Sequence, residues 1–415
     1  MKYRAVAPRC SMWAGCRTQH YLRNRQVRDD MTNRERLLAI MDGRRPDRIP
    51  WIPRLLLWHT AQTRRGTLPE RFQNMSLRDV ERAMRLGTPA RDGHVYTTEQ
   101  RGDVEVTQQQ EGESTLYEYR TPVGSVTSRY QRSTVLEDAG IGGLEVEHIV
   151  KEPADLAVAE YLFEHTHYTP TYDDYRRYEE EIGDDGYPLV GAGDVPFHHF
   201  LQKLAGYETG YYMLADCPDR VEALIRRMEE LERERQWPLL AESPARLILH
   251  GVHFDSAMTP PPLFDRYITP YYRDLSALLH TQGKTLSTHA DNDSRLILGN
   301  MQEAGFDMAE TFTTEPQATC TLAEARESFG TNVIIWGAVP SVILESTYSD
   351  AAFEAYMIDV FRTAAPGDAF ILGVADNVMP DAIPERIERI SDMVEAWGDV
   401  PVDPARIGTM GAVSR

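Results

Sequence analysis

Histidines and carboxylates recur in this chain at the ends of short apolar runs. RLILHGVHFD ends on His253 and Asp255, KTLSTHAD on His289 and Asp291, DMAET near Glu310, and AFILGVAD on Asp376. Two further runs, YPLVGAGD and NVIIWGA, end at Asp194 and near Gly337. In an extended strand, residues i and i+2 project to the same side. His289 and Asp291 can therefore reach one ion, and His253 and Asp255 face one way while His250 faces the other and is expected to pack. Each residue also has a plainer reading. His289 could be held by a carboxylate for rigidity, Glu310 could pair with an arginine such as Arg326, and Asp376-Asn377 could open a turn. Asp194 could cap the helix that begins at VPFHH, where the adjacent His198 and His199 do not face one another.

These residues need a scaffold that brings strand ends together. Strand-like runs alternating with helical stretches indicate βα units and a parallel sheet. The fold class expected is α/β, a single distorted (β/α)8 TIM barrel whose functional residues lie at the C-terminal strand ends. MTNRERLLAIMD (31–42) reads as a helix capped by Thr32 or Asn33, and IPWIP (49–53) as the first barrel strand. Residues 98–135 contain TLYEYRTPVGSVTSRY, an alternating pattern around Pro122 and Gly124 that predicts a small antiparallel insertion, a flap near the barrel mouth. Residues 153–183 read as helical, and Val221, Leu224, Ile225, Met228 and Leu231 mark the inner face of a helix over 218–236. The expected organisation is one barrel over 31–398 and a C-terminal tail over 399–415. Residues 1–30 form a basic, acid-poor extension expected to be disordered, with Met31 as the natural start or, alternatively, a transit segment before it.

Composition narrows the function. With 415 residues, 42% hydrophobic and 26% charged, the chain has a globular make-up. A net charge of -20 argues against a nucleic-acid surface, and no apolar run is long enough to span a bilayer. The cysteines, Cys10, Cys16, Cys217 and Cys320, form no CxxC pair. That removes a zinc ribbon or dithiol motif and makes a reducing cytoplasm the expected location.

In chain order, RERLLAIMDGRRPDRIPWIP, HFDSAMTPPPLFDRYITPYYRDLSALLHTQGKTLSTHADND, EAGFDMAETFT, TLAEARESFGTNVIIWGAVPS and FILGVADNVMP resemble the uroporphyrinogen decarboxylase superfamily over nearly all of 31–398. The resemblance implies a distorted β/α barrel and two branches, the true decarboxylases and the zinc methyltransferases that serve corrinoid proteins. The decarboxylases carry an arginine-rich segment after the first strand. Here that segment reads PRLLLWHTAQTRR, with Arg54 alone close to the strand, too few guanidinium groups for a many-carboxylate substrate.

The methyltransferases bind zinc through His-x-Cys and a later cysteine. Here His289-Ala290-Asp291 and Asp376 stand at those places, so the resemblance implies an oxygen-rich set of His289, Asp291, Glu310 and Asp376 for Zn2+ or another divalent metal. The expected function is metal-assisted methyl (one-carbon) transfer, with a methoxylated small-molecule substrate or a separate corrinoid protein as partner. The chain has no Asp-x-His-x-x-Gly corrinoid motif of its own. Asp255, His253, His289 and Glu310 are the expected catalytic residues, and Arg54, Asp194 and Gly337 the expected substrate-binding ones. The alternative is a metal-free decarboxylase of uroporphyrinogen type, with Asp255 stabilising a protonated pyrrole-like intermediate. A third reading is a non-catalytic barrel that binds a metabolite. Relatives commonly pair with barrel mouths facing, which makes a homodimer an expectation too.

Overall fold

The structure is a computed structural model that describes residues 30–138 and 140–409. The expectation of a disordered basic extension falls on residues outside the described ones, apart from Asp30, as does the end of the tail from 410 onward.

The chain enters through the helix Asn33–Met41, fixed at its start by a reciprocal capping box between Thr32 and Glu35. Leu37 and Ile40 of this helix pack with Leu189, Leu247, Leu249, Met308, Trp336 and Ile371, so the helix plugs the N-terminal end of the barrel. Beyond residue 90 the chain leaves the barrel. It forms β1 (Tyr96–Gln100) and then a four-stranded antiparallel sheet of β2 (Glu105–Glu111), β3 (Ser114–Thr121), β4 (Gly124–Gln131) and β5 (Leu144–Glu147). It returns through β6 (Thr166–Pro170), which pairs antiparallel with β1. The expected insertion is present and longer than 98–135. The helix expected over 153–183 is interrupted by β6, because THYTP is taken by pairing with β1 and Pro170 cannot continue a helix.

The barrel follows as β7 (Leu189–Gly191), β8 (Leu247–Val252), β9 (Thr285–His289), β10 (Met308–Phe312), β11 (Ile334–Val339) and β12 (Phe370–Val374), parallel neighbours in that order. Two proline-containing stretches close it. Residues 50–52 lie along β12, with Ile52 N–H donating to Leu372 O and Leu372 N–H to Pro50 O, both at 2.9 Å. Residues 86–90 bridge the gap, with Gly87 N–H donating to Trp51 O at 2.9 Å and Leu189 N–H to Ala90 O at 3.0 Å. The ring is a distorted (β/α)8 barrel. The stretch LGTPA (86–90) was not expected as a strand, since Gly87 and Pro89 spoil its pattern, and only its neighbours in the ring hold it extended.

Inside the ring, side chains alternate. Met308, Ile334, Trp336 and Ile371 fill the lumen, while Ala309, Ile335 and Leu372 face the outer helices. Among the described residues no helix is long and apolar enough to cross a membrane. A cleft of about 670 Å³ opens at the N-terminal end of the strands, lined by residues such as Arg44, Arg45, Arg246 and Lys284. It lies at the opposite end from the His289 cluster, and its charges are spent on Arg45–Asp368 and Arg246–Asp42 ion pairs and on three Lys284 hydrogen bonds to Ser243 and Ala245.

Candidate active site

The mouth is organised around His289, the last residue of β9, whose side chain is 3% exposed. Its Nδ1 lies 2.6 Å from Glu310 Oε2 on the neighbouring strand, where Glu310 is the register partner of His289. Its Nε2 lies 3.4 Å from Asp291 Oδ2 and 3.5 Å from Asp376 Oδ1. His253 reaches the same carboxylate from the end of β8, its Nδ1 2.8 Å from both Asp291 oxygens. Two arginines close the ring of charge: Arg54 Nη1 donates to Asp376 Oδ1 at 2.7 Å, and Arg91 is paired with Glu310.

Backbone irregularities aim these groups. The ladder between β10 and β11 slips at Thr311, which has φ +54°, and the bulge lets Thr311 Oγ1 come within 2.8 Å of His289 Nδ1. His253 (φ +60°) and Asp376 (φ +54°) also adopt left-handed backbone, an uncommon conformation outside glycine that concentrates at functional sites. His253 N–H donates to His289 O, which ties the end of β8 to that of β9.

Charge coupling follows from burial. Burial alone would lower the His289 pKa, but the charge of Glu310 and hydrogen bonds to Asp291, Asp376 and Glu310 outweigh it and raise it to about 10. Glu310 is wholly buried, which favours its neutral form, yet Arg91 and His289 hold its pKa well below the usual carboxylate range. Asp291 is held low in the same way by His253 and His289, against the effect of burial. For Asp376 burial is again outweighed, here by His289 and Arg54. Burial lowers the Arg54 pKa, and the neighbouring Arg91 adds to the effect.

Several expected site residues lie elsewhere. Gly337 is buried in β11, where a Cβ would stand 2.5 Å from both the N and O of Phe312; it is a packing glycine at the β10 bulge and presents nothing to a substrate. Asp194 is 7% exposed, and both its oxygens are taken: Oδ1 accepts from Val195 N–H at 2.8 Å and Oδ2 lies 2.6 Å from His198 Nδ1. It is not a free substrate-binding carboxylate. Asp255 lies beyond the end of β8, where strand alternation with His253 no longer applies, and its Oδ1 accepts from Ala257 and Met258 N–H.

Glu310 stands on the Nδ1 side of His289, opposite Asp291 and Asp376, so the four expected metal ligands do not share one face of the imidazole. The group among the described residues whose ligand atoms all lie within 4.8 Å of one another is His253, His289 and Asp291. His250 packs against Tyr271 and Tyr272, as the strand alternation requires. Arg91 was missed with the strand that carries it. Cys320 is buried, and burial raises its thiol to about 12, which removes it as a nucleophile.

The family model described as Uroporphyrinogen decarboxylase (URO-D) matches residues 139–397. The chain belongs to the URO-D family. Among solved structures, this URO-D protein is similar to a methyltransferase from Methanosarcina mazei at 14% identity and a TM-score of 0.50, over 87% of this chain and 98% of that one. That likeness supports the barrel. An octameric ribulose-1,5-bisphosphate carboxylase/oxygenase from Pyrococcus horikoshii OT3 matches over 57% of this chain and 46% of its own, at 10% identity and a TM-score of 0.29. No curated protein matches the chain. By family it is a URO-D-type enzyme.

Proposed function

We propose that this URO-D protein is a metal-assisted methyl (one-carbon) transferase, acting on a methoxylated small molecule or with a separate corrinoid protein. The observation that carries the reading is the compact His253, His289 and Asp291 group. Two imidazoles and a carboxylate are a donor set of catalytic Zn2+ and of non-haem Fe(II). The 3.4 Å between His289 Nε2 and Asp291 Oδ2 matches the roughly 3.4 Å between donors about 2.1 Å from a tetrahedral ion, whereas His253 Nδ1, 2.8 Å from both Asp291 oxygens, stands at hydrogen-bond distance and would move away from the carboxylate to share the ion.

The residues present fit a divalent cation, and His253, His289 and Asp291 would hold it. Bound there, such an ion supplies Lewis acidity to an ether or thiol at the mouth. Glu310 fixes the His289 ring from the far side through Nδ1, with Arg91 balancing its charge, the arrangement in which a carboxylate orients a metal-binding imidazole. Asp376 and Arg54 form an ion pair beside Nε2, where Arg54 can turn to a substrate anion.

The paired arginines weigh against porphyrin decarboxylation. Arg54 and Arg91 are both engaged by carboxylates of the protein itself, leaving no cluster of free guanidinium groups around His289 among the described residues for a many-carboxylate substrate. The deciding experiment measures bound metal in wild type and His289→Ala, then follows demethylation of methoxyarenes with cob(I)alamin alongside CO2 release from uroporphyrinogen. Metal retained by the wild type and lost with methyl transfer in the variant is the expected result. Full activity after chelation, or CO2 release without metal, would overturn it.

A further inference from the structure

The ion pairs of the N-terminal cleft leave part of its donor capacity unused. Arg44 and Arg246 approach Asp42 from two sides, Arg44 Nη2 donating to Oδ2 at 3.0 Å and Arg246 Nη2 to Oδ1 at 2.7 Å. Arg45 makes a two-pronged contact with Asp368, Nε to Oδ1 at 2.6 Å and Nη2 to Oδ2 at 2.8 Å. A guanidinium carries five N–H donors in a fixed fork. Nε and Nη1 of Arg44 and of Arg246, and Nη1 of Arg45, therefore have no acceptor among the described residues. Arg44 and Arg45 are exposed and Arg246 is half-buried, so these edges are open to the cleft.

The charges are out of balance in the same direction. The charged side chains that line the cleft, with Asp42, are Arg44, Arg45, Arg246, His280 and Lys284 against Asp42, Asp307 and Asp368. Lys284 is buried, and its Nζ meets only oxygens without formal charge: Ser243 O and Ala245 O at 2.6 Å and Ser243 Oγ at 3.3 Å. Burial lowers its pKa to about 8, which leaves it mostly charged near pH 7. His280 Nε2 lies 2.8 Å from Asp307 Oδ2, and that hydrogen bond raises its pKa and favours the charged form. With both protonated, the cleft holds two more positive charges than negative ones, on a chain whose net charge is -20.

Cations near helix C-termini commonly answer the carbonyls there, and Lys284 does so just past the helix Trp237–Glu242. The three arginines do not. Their hydrogen bonds go to carboxylates, and they come from separate pieces of chain: Arg44 and Arg45 follow the helix Asn33–Met41, and Arg246 stands just before β8. Ile40, Met41 and Ile334 give the cleft an apolar side beside them.

We propose that this cleft binds a small phosphate-bearing molecule, with the free edges of Arg44, Arg45 and Arg246 donating to the phosphate oxygens. An excess of two positive charges matches a phosphate monoester, which carries about 1.5 to 2 negative charges at pH 7. Guanidinium forks suit its oxygens, and the apolar side takes the uncharged part of the molecule. The ligand would tie the end of the entry helix to the start of β8, at the end of the barrel opposite His289. The site is thus separate from methyl transfer and stands without it.

Isothermal titration of the full chain with inorganic phosphate at pH 7 tests the proposal. The wild type should bind saturably, and Arg44→Gln and Arg246→Gln should each weaken binding roughly 10- to 100-fold, as loss of a charge-assisted hydrogen bond predicts. Phosphate should raise the melting temperature of the wild type more than that of either variant. If Arg246→Gln is itself unstable, Arg44→Gln carries the comparison, since the Arg44 side chain is 62% exposed. Arg54→Ala, which removes a basic group at the mouth, should bind phosphate as the wild type does. No saturable binding, or a loss in Arg54→Ala that the cleft variants do not share, would overturn the proposal.

Succinate separates phosphate recognition from attraction of any dianion. Its two carboxylates are held apart and cannot gather three guanidinium groups on one centre, so it should bind about 10-fold more weakly than phosphate. Equal or tighter binding of succinate would overturn the phosphate assignment.

Discussion

Replacing Arg91 by methionine probes the least exposed charge in the site. Glu310 is wholly buried, and its side chain is paired with Arg91, which is 22% exposed, and with His289. At an effective dielectric of about 20, unit charges some 3 Å apart attract by roughly 5 kcal/mol. Removing one member of a buried pair costs about 3–5 kcal/mol because the other charge is stranded. Glu310 keeps His289 as a partner at 2.6 Å, so the low end applies, and Arg91→Met should cost about 3 kcal/mol at pH 7.

The sign with pH follows from the lowered Glu310 pKa. Its contribution is present above the unfolded carboxylate value near 4.5 and is lost as pH falls through the lower folded value. The gap between wild type and Arg91→Met should therefore shrink as both are acidified. Urea denaturation of wild type, Arg91→Met, Glu310→Gln and the double variant gives the coupling directly, and the double variant should recover most of the loss. A single-variant cost below about 1 kcal/mol, or additive losses in the double variant, would refute the reasoning.

Other outcomes follow from the same geometry. Because His289 is raised to about 10, in metal-free protein it contributes stability that is full below the unfolded value of 6.5 and is lost as pH rises toward 10. His289→Gln should flatten that alkaline loss in denaturation curves at pH 6 and 10. Glu310→Gln should weaken Zn2+ binding about 10- to 100-fold without abolishing it, as expected of a group that orients a ligand, whereas Asp291→Asn should abolish it; isothermal titration with Zn2+ distinguishes the two. Arg54→Ala should leave the Zn2+ content unchanged and raise KM more than it lowers kcat. Gly337→Ala, which forces a Cβ to 2.5 Å from the Phe312 backbone, should cost more than about 3 kcal/mol by denaturation or prevent folding.

The sequence by itself determined the barrel and most of the residues at its mouth. Regular βα alternation and period-two patterning are local signals, so β8 to β12 and the placement of His253, His289, Asp291, Glu310 and Asp376 at or just past their ends were legible. What depends on neighbours in space was not. The stretch over 86–90 is held by its neighbours Trp51, Asp185 and Leu189, and with it Arg91, the partner of Glu310, stayed hidden. Sequence periodicity fixes which side of a strand a residue takes but not which nitrogen of an imidazole a carboxylate meets. The register of β9 on β10 set Glu310 on Nδ1, leaving Asp291 and His253 to form the compact group. The same limit hid the pairing of His198 with Tyr207, nine positions apart and joined only when a π-helical turn and a left-handed glycine fold one helix back over the other.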